Sequence, residues 1–487
     1  MSGSADRKRL GIDDSFWVWL ESPETPMHVA ALAVFESESE PATEVAKRIV
    51  DAFRDRTDFE ARFRSLIVER RFPLPAGRGE AGDVDIDFHL RHKALPAPGG
   101  ELELAQLISR LHSIQLDARR PMWEVHVIEG LQGNRFAIYI KVHHALINGV
   151  DAIRLLARSL ADEPEVAMSD PAWALERPRR KGSVRSVRDV DDQNRPSRPK
   201  LLMASLKAVN ALRKARRSDS SLVGPFVAPR SPLNVEVGPQ RRVCTASIDL
   251  ARIKHLATLS GTSLNDIVLA ACAAALRRYL LEIDGLPGMP LVAGCPVSIA
   301  PTGSSTDSSV GIMLANLATD EPDPLVRLSV IADSTRSAKE HHSAVPHRAL
   351  VAYSILAMAP HTLRQLVPTA VRKLPPMFNL IISNVPGPKQ RLYLAGARMV
   401  GLYPLSLLFR GEALNITAVS HDGRMNFGFT ACRSALPHVQ NLALYLEDGF
   451  DELEHAVSVG RAEGSGLDRA AVVHIQSVLR PDRRSIS

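Results

Sequence analysis

Two blocks of alternating strand-like and helix-like patterns constrain the fold of this chain more than any other feature of its sequence. In the first block, which ends near residue 167, MHVAALAVFE predicts a strand, VAKRIVDAFR an amphipathic helix and VDIDFHL an alternating strand. The helix patterns ELAQLISRLHS and GVDAIRLLARSLA then flank two further strand patterns, WEVHVIEGL and RFAIYIKVHH. This alternation predicts a layered α/β domain.

The second block begins at residue 236 and resumes the alternation. RRVCTASIDL predicts a strand and ARIKHLATLS a helix. The next helix, SLNDIVLAACAAALRRYLLEI, has Ser263 as its predicted N-cap and Asp266 in its first turn, where a negative charge suits the helix dipole. Later strand patterns are PLVAGCPVSI, FNLIISNVPG, ALNITAVSHD and RMNFGFTACR, followed by a final helix. We therefore expect two subdomains of α/β (α+β layered) class, residues 1–167 and 236–487.

Residues 168–235 differ in composition from both blocks, because they are rich in Pro, Arg and Ser. They predict a crossover linker with one short amphipathic helix, LLMASLKAVNALRKARR. Within it, Arg177–Arg217 holds 14 Lys and Arg against 3 Asp and Glu, a net +11, whereas the whole chain carries +6 and the remainder therefore −5. This stretch lacks aromatic residues, which disfavours nucleic acid as the partner. An anionic lipid surface and a solvated tether both stay open.

Cysteine usage and hydropathy favour a reducing cytoplasm. The four cysteines form no CxxC pair, so neither a disulfide framework nor a metal or redox pair is indicated. The first residues lack the apolar region of a signal peptide, and the longest uncharged apolar run, 267–276, is about half of the ~20 residues that a spanning helix needs. We expect a cytoplasmic protein with at most peripheral membrane contact.

The most informative motif is KVHHALING, residues 141–149, where a strand pattern runs directly into a His pair, a short turn and a helix. A side chain fixed at such a strand end can point into a cleft. An imidazole with an ordinary pKa near ~6.5 can take a proton from a hydroxyl or thiol at neutral pH, provided that a backbone carbonyl holds its second nitrogen. His144 is the candidate base. Taken alone, such a His pair more often satisfies local hydrogen bonds, so other motifs must decide.

Those motifs make the sequence resemble the bacterial wax ester synthase/acyl-CoA:diacylglycerol acyltransferase family over nearly the whole chain. The His pair with Asn148 and Gly149 is similar to the family signature HHxxxDG. PMWE at 121–124 is similar to the family's PLWE, Asn265 and Asp266 match its ND element, and ISNVPGP at 382–388 matches a further stretch. All of them occur in the family's order.

The resemblance implies a fold similar to that of the chloramphenicol acetyltransferase superfamily, with two subdomains that meet at an active-site tunnel. Acyl-CoA would enter from one face and the acceptor alcohol from the other. His144 would deprotonate the acceptor hydroxyl, which attacks the thioester directly, and His143 and Gly149 would complete the motif. Asn265 is the candidate oxyanion donor, a role worth about 2.7–4 kcal/mol. Asn265 and Asp266 could equally cap their helix.

One position departs from the family pattern, because Asn148 stands where the signature has Asp. In the related fold that Asp usually points away from the His and makes a structural ion pair, so Asn keeps the hydrogen bonds and loses only the charge. An Arg partner left without its carboxylate would be costly to bury. We therefore expect a more polar or wetter environment at this position, with Asp151 as the residue that could compensate.

Asp266 and the remaining family positions are candidate substrate contacts with a structural alternative. Pro121 and Trp123 would lie near the active-site wall, and core packing is the favoured interpretation for both. Ser383 and Asn384 belong to a strand that the Pro-Gly-Pro turn closes rigidly. Asn384 would pack across the subdomain interface or contact substrate.

Two other patterns predict no site. Residues 77–82 match GxGxxG, but no strand pattern precedes them and no helix pattern follows, as a dinucleotide site requires. Around His89 and His92 no Cys or carboxylate completes a metal-ligand spacing, so we expect these histidines at the surface and no bound metal.

The expected function is transfer of a long-chain acyl group from acyl-CoA to a fatty alcohol, to diacylglycerol, or to both, without a metal or redox cofactor. The alternatives are a catalytically silent lipid-binding homologue that lost the motif Asp, and a condensation-domain-like acyltransferase. The expected partners are acyl-CoA, the acceptor, an anionic membrane or lipid-droplet surface, and a second copy of the chain. The basic linker would dock on that surface, or its arginines would hold the CoA phosphates.

Overall fold

The computed structural model describes residues 8–68, 74–166, 168–175, 221–298, 310–344, 365 and 375–465. The basic stretch Arg177–Arg217, and with it the predicted linker helix, lies outside the described residues. In chain order the elements are β1 (Lys8–Arg9), α1 (Ile12–Leu20), β2 (His28–Glu36), α2 (Ala42–Arg54), β3 (Ser65–Val68), β4 (Gly77–Glu80), α3 (Ile86–His89), β5 (Leu90–Ala94), α4 (Glu101–Ser113), β6 (Trp123–Leu131), β7 (Arg135–His143), α5 (Gly149–Arg158), β8 (Arg241–Asp249), α6 (Leu250–Ser260), α7 (Leu264–Glu282), β9 (Val292–Ser298), β10 (Val310–Asn316), α8 (Pro324–Ala344), β11 (Leu380–Val385), β12 (Tyr393–Leu394), β13 (Ala397–Leu405), β14 (Leu414–His421), β15 (Arg424–Cys432) and α9 (Asn441–Ser465).

The first lobe is built on a six-stranded sheet in the order β12-β13-β2-β7-β6-β5, in which only β5 and β6 are parallel. Because side chains alternate along a strand, each face has its own core. One face packs on α2 and α5 around Phe35, Phe136 and Ile153. The other face packs on α4 around Ile108 and Tyr139. The α/β alternation predicted from the first block is thus present as a layered lobe.

Two strands of this sheet come from the second block of the sequence. β13 pairs with β2 from Arg398 opposite Glu36 to Leu405 opposite Ala30. It also packs against β15 so closely that a Cβ on Gly428 would lie 1.8 Å from the carbonyl oxygen of Pro404. Glycine permits this approach because it carries no side chain. The second block therefore contributes to both sheets, and the strand exchange fastens the lobes together.

The second lobe is built on a six-stranded sheet in the order β10-β9-β11-β14-β15-β8. Helices α6, α7, α8 and α9 pack with it around Phe427, Phe429 and the buried apolar run 267–276 of α7. The lobes also meet where α4 lies along β8, since the N–H groups of Arg241 and Val243 donate to the hydroxyls of Ser113 and Ser109. Those bonds give acceptors to two of the N–H groups along the edge of β8.

One strand prediction is wrong. In VDIDFHL, Asp85 accepts the N–H of Phe88 and caps the single helical turn α3, and β5 begins only at Leu90. An Asp at this position offers the backbone a local partner that competes with a sheet ladder. The GxGxxG match lies partly in β4 (Gly77–Glu80), which is a strand. His89 is 1% exposed, so its predicted surface position is also wrong.

Candidate active site

The His motif lies where β7 ends, at a turn that leads into α5. The N–H of His143 donates to the carbonyl of Met122 at 3.0 Å, and the N–H of His144 donates to the carbonyl of Met27 at 2.8 Å. Because β7 lies between β2 and β6, the backbone of the His pair is held from both sides. The strand–turn–helix arrangement predicted from the sequence is confirmed.

His144 lies under an indole. Its ring stacks on Trp17 of α1, with ring centroids 3.8 Å apart and an interplanar angle of 27°. The residue is half-buried, and its Nδ1 atom is buried without a hydrogen bond to another described residue. Burial, together with the nearby His143, lowers the pKa of His144 to about 4, and a hydrogen bond to its own backbone opposes this. The imidazole is therefore neutral at pH 7.

An apolar cluster adjoins this imidazole where the lobes meet. Trp17 lies 6.1 Å, centroid to centroid, from Phe409, which follows β13. Both pack with the buried residues Leu20, Met27 and Ile381, the last from β11 of the second lobe. His144 therefore lies beside apolar side chains that come from both lobes.

His143 is fully buried and its two nitrogens have separate neighbours. Nδ1 accepts the N–H of Ala145 at 3.1 Å, so that nitrogen carries no proton and the neutral ring is protonated on Nε2. Nε2 lies 3.2 Å from a carboxylate oxygen of Glu21, out of line for a hydrogen bond. The Glu21 side chain is only 5% exposed. His143 thus shapes the turn that presents His144.

Asn148 is the N-cap of α5. Its Oδ1 accepts the N–H of Asp151 at 2.9 Å, and its Nδ2 donates to the Asp151 carboxylate at 3.0 Å. The Asp151 side chain is half exposed, in keeping with the expected wetter environment. Gly149 is exposed, and a Cβ there would meet no atom within 4 Å. Asp151 is therefore hydrogen-bonded to the residue that stands where the family signature has Asp.

The ND pair begins α7 in the second lobe. Ser263 caps the helix as predicted: its hydroxyl accepts the N–H of Asp266 at 3.3 Å, and its own N–H donates to the Asp266 carboxylate at 2.9 Å. Asp266 is buried and also accepts the hydroxyl of Thr335 at 2.6 Å. Asn265 is half-buried, and its side chain makes no hydrogen bond within the described part of the chain. Asp266 is a capping residue, and Asn265 has a free amide.

The PMWE segment packs inside the first lobe. Trp123 is 1% exposed, donates its Nε1–H to the carbonyl of Phe63 at 2.9 Å, and stacks on His89 at 4.2 Å between centroids. Pro121 is buried and its carbonyl accepts the N–H of Trp123. Both positions therefore pack the core of the lobe that carries the His motif.

Ser383 and Asn384 lie on β11 and are half-buried. Alternation along the strand puts Ser383 on the face of Ile381, which belongs to the apolar cluster between the lobes, and Asn384 on the face of Ile382, which belongs to the core of the second lobe. The turn after β11 is tightly packed, since a Cβ on Gly387 would lie 2.1 Å from the carbonyl oxygen of Ser420.

A buried ionic cluster underlies the motif and has no counterpart in the sequence-based predictions. Glu124 lies 3.1 Å from Nε2 of His126 and 3.4 Å from Nζ of Lys141, which also donates to the carbonyl of Ile114 at 2.9 Å. Burial alone would raise the pKa of Glu124, but the hydrogen bond from His126 and the charges of Lys141 and Arg91 lower it to about 2. Burial lowers the pKa of Lys141. The cluster lies on the paired strands β6 and β7, and its Lys141 is two residues before His143.

Trp17 and Glu21, which contact the His pair directly, were also missed by sequence reasoning. Both come from α1 and its C-terminal end, more than a hundred residues before the motif they contact. The only signal in the sequence is their place just before MHVAAL, the segment that forms β2 beside the motif strand.

Within the described residues, no group of three or more His, Cys, Asp or Glu side chains is arranged to hold a metal ion. In the same part of the chain no single helix is long and apolar enough to cross a membrane. The pair α6 and α7 meets the length and composition criteria jointly, but the two helices are bent by 103° at their junction.

Comparisons with known proteins agree with this arrangement. Residues 10–268 match the wax ester synthase/diacylglycerol acyltransferase catalytic domain, and residues 308–454 match the C-terminal domain of the same family. A probable diacylglycerol O-acyltransferase of Mycobacterium tuberculosis is 40% identical over 92% of this chain and 99% of its own length. The O-acyltransferase WSD of Acinetobacter baylyi is 33% identical over 91% and 96%.

Solved structures of the same family and of the same fold also superpose on this chain. The wax ester synthase/diacylglycerol acyltransferase of Marinobacter aquaeolei superposes with a TM-score of 0.72 at 34% identity, covering 92% of this chain and all of that one. The starter condensation domain of rhizomide synthetase superposes with a TM-score of 0.56 at 17% identity, which shows a shared fold.

Proposed function

Because this chain belongs to the wax ester synthase/diacylglycerol acyltransferase family, a family of acyltransferase enzymes, we propose that it moves a long-chain acyl group from acyl-CoA to the hydroxyl of a fatty alcohol, of diacylglycerol, or of both. The observation that carries the proposal is the neutral His144, fixed at a strand end and stacked on Trp17 at the edge of an apolar cluster formed by both lobes.

His144 is the general base. Its Nε2 accepts the proton of the acceptor hydroxyl as the oxygen attacks the thioester carbonyl, and no acyl-enzyme forms. When the tetrahedral intermediate collapses, the carbon–sulfur bond breaks and the imidazolium returns the proton to the CoA thiolate. A pKa near 4 keeps the ring unprotonated at neutral pH. Burial under Trp17 keeps water from replacing the alcohol as the acceptor of the acyl group.

Asn265 is the proposed donor to the oxyanion. Its side-chain amide has no hydrogen-bond partner in the described chain, whereas the carboxylate of its neighbour Asp266 accepts bonds from the helix cap and from Thr335. A free amide is available to a developing negative charge. Asn148 and Gly149 support the reaction from the start of α5, because the cap fixes the helix and the glycine leaves open space beside the turn. Ser383, which faces the apolar cluster, is a candidate substrate contact.

The remaining parts of the proposal concern partners. No metal or redox cofactor takes part, and acyl-CoA is the co-substrate. The +11 stretch Arg177–Arg217 docks the cytoplasmic enzyme on an anionic membrane or lipid-droplet surface, where the apolar acceptor resides. Self-association as a homodimer would double that charge. Deleting the stretch tests the docking, because unchanged binding to anionic liposomes would reduce it to a solvated tether.

The test of the activity is release of CoA thiol from palmitoyl-CoA with hexadecanol or diolein as acceptor, with products separated by thin-layer chromatography. We expect thiol release to depend on an acceptor and to yield wax ester, triacylglycerol or both. Liposome binding without thiol release for either acceptor would favour the silent lipid-binding alternative that the loss of the motif Asp suggests. Transfer to amines alone would favour the condensation-like alternative.

A further inference from the structure

The Glu21 carboxylate contacts two residues, Met27 and His143, that hold the turn carrying His144. One of its oxygens accepts the backbone N–H of Met27 at 3.3 Å, and the carbonyl of Met27 in turn accepts the N–H of His144 at 2.8 Å. The other oxygen lies 3.2 Å from Nε2 of His143. The Glu21 side chain therefore contacts Met27, whose carbonyl accepts the N–H of His144, and also the imidazole of His143.

The position of the proton on His143 decides which partner donates in the contact with Glu21. Because its Nδ1 accepts the N–H of Ala145, the proton of the neutral ring is on Nε2, the atom next to Glu21. The imidazole is completely buried and the carboxylate is 5% exposed, so water does not replace either partner. A buried ring N–H without an acceptor is costly, which makes the carboxylate the natural acceptor.

The position of Glu21 explains why it can act on a distant motif. It is the C-cap of α1 and leaves the helix in an extended conformation, φ −68° and ψ 134°, which turns the chain back toward β2. The same helix carries Trp17, which stacks on His144. α1 and its C-cap thus place Trp17 against His144 and Glu21 against His143.

We propose that Glu21 is a positioning residue, whose carboxylate accepts the Nε2–H of His143 and holds the turn that presents His144 to the substrates. The inference rests on the proposed role of His144 as the base. His143 Nε2 and the Glu21 carboxylate oxygen are already 3.2 Å apart, so a small rotation of either side chain brings the N–H into line with its acceptor.

Glu21→Leu removes the acceptor while keeping most of the buried volume. The expected result is a fall in kcat for thiol release of about 10- to 100-fold, with KM for palmitoyl-CoA within about 2-fold, because a positioning residue acts on the reacting geometry. Glu21→Gln retains an oxygen acceptor and recovers most of the rate. Glu24→Gln, the same change at an exposed residue nearby, is the matched control.

A double-mutant cycle then tests whether Glu21 acts on the rate through His143. If Glu21 acts through His143, adding Glu21→Leu to His143→Ala lowers kcat by less than about 2-fold further. Additive losses would overturn the proposal, and so would a Glu21→Gln variant as slow as Glu21→Leu or a Glu21→Leu variant at the wild-type rate. If Glu21→Leu fails to fold, Glu21→Asp, whose shorter side chain loses the reach, takes its place in the cycle.

The His144→Ala variant separates the two proposals. An undiminished rate in His144→Ala removes the proposed base and the inference with it. A slow His144→Ala beside a fast Glu21→Leu removes only the role of Glu21.

Discussion

Replacing Trp17 by Ala should move the acidic limb of the pH–rate profile. The indole covers one face of His144, and burial is the largest cause of the depressed pKa of about 4. If removal of the indole restored full hydration, the pKa would return to about 6.5, a shift of about 2.5 units. Because the base acts in its neutral form, kcat/KM falls as the pH drops through the pKa. The wild-type limb should therefore lie near pH 4, and the variant limb at least about 1 unit higher.

The size of the effect depends on the pH of the assay. At about pH 5 the neutral fraction is about 0.9 for a pKa of 4 and about 0.03 for a pKa of 6.5, so full hydration would cost about 30-fold there and almost nothing at about pH 8. Thiol release from palmitoyl-CoA, followed with 4,4′-dithiodipyridine, can be measured across this range. Any fall in kcat/KM that persists at about pH 8 reports a change in the position of His144. Dividing the fall at about pH 5 by the fall at about pH 8 leaves the effect of ionisation alone.

Two controls make the result decisive. Trp17→Leu keeps an apolar cover, so its limb should stay near that of the wild type. Trp19→Ala removes another indole of the same helix, whose Nε1–H donates to the carbonyl of Leu74, so its profile should not move. A Trp17→Ala limb that coincides with the wild-type limb would refute the claim that this indole sets the pKa of His144.

Three further substitutions test the packing around the site. Lys141→Met should destabilise the protein by about 3 kcal/mol, seen as a lower midpoint concentration in urea unfolding, because it leaves the buried Glu124 carboxylate with Arg91 as its one remaining cation among the described residues. Gly428→Ala should abolish soluble expression or lower the melting temperature sharply, because the new Cβ would overlap the carbonyl oxygen of Pro404. Asn148→Asp should keep thiol release within about 3-fold and destabilise α5 by about 0.5 kcal/mol, because a second carboxylate would face the one already in the first turn.

Each of these has an internal check. Adding Glu124→Gln to Lys141→Met should recover part of the lost stability, and a larger loss in the double variant would contradict the account of the ionic cluster. Gly82→Ala, where a Cβ meets no atom within 4 Å, should be harmless, and a Gly428→Ala variant with the same melting temperature would contradict the close approach of β13 and β15. Asp151→Asn should relieve the repulsion in Asn148→Asp.

The local parts of the site were predictable because their causes are local. KVHHALING combines a strand pattern, a capping side chain and a helix pattern within nine residues, and it forms a strand, a turn and a helix. Ser263 and Asp266 cap α7 because capping needs only residues three apart. For the same reason, Asp85 should have indicated the helical turn that interrupts VDIDFHL.

The parts that sequence reasoning missed depend on contacts between distant segments. Nothing in the pattern of β13 shows that it pairs with β2 in the other lobe, since an alternating strand fits either sheet. Trp17 and Glu21 look like ordinary residues of an amphipathic helix until tertiary packing brings them to the His pair. The ionic cluster of Glu124 and Lys141 arises because β6 and β7 are paired in a register that sets these two residues opposite each other.

The central claim, that His144 is the base, is tested most directly by chemical rescue. His144→Gly should lower the rate of thiol release about 10²- to 10⁴-fold. Added imidazole should restore part of that rate in a saturable manner, by occupying the space under Trp17. His438→Gly, at an exposed histidine of the second lobe, should match the wild type with and without imidazole. An undiminished rate in His144→Gly would contradict the account.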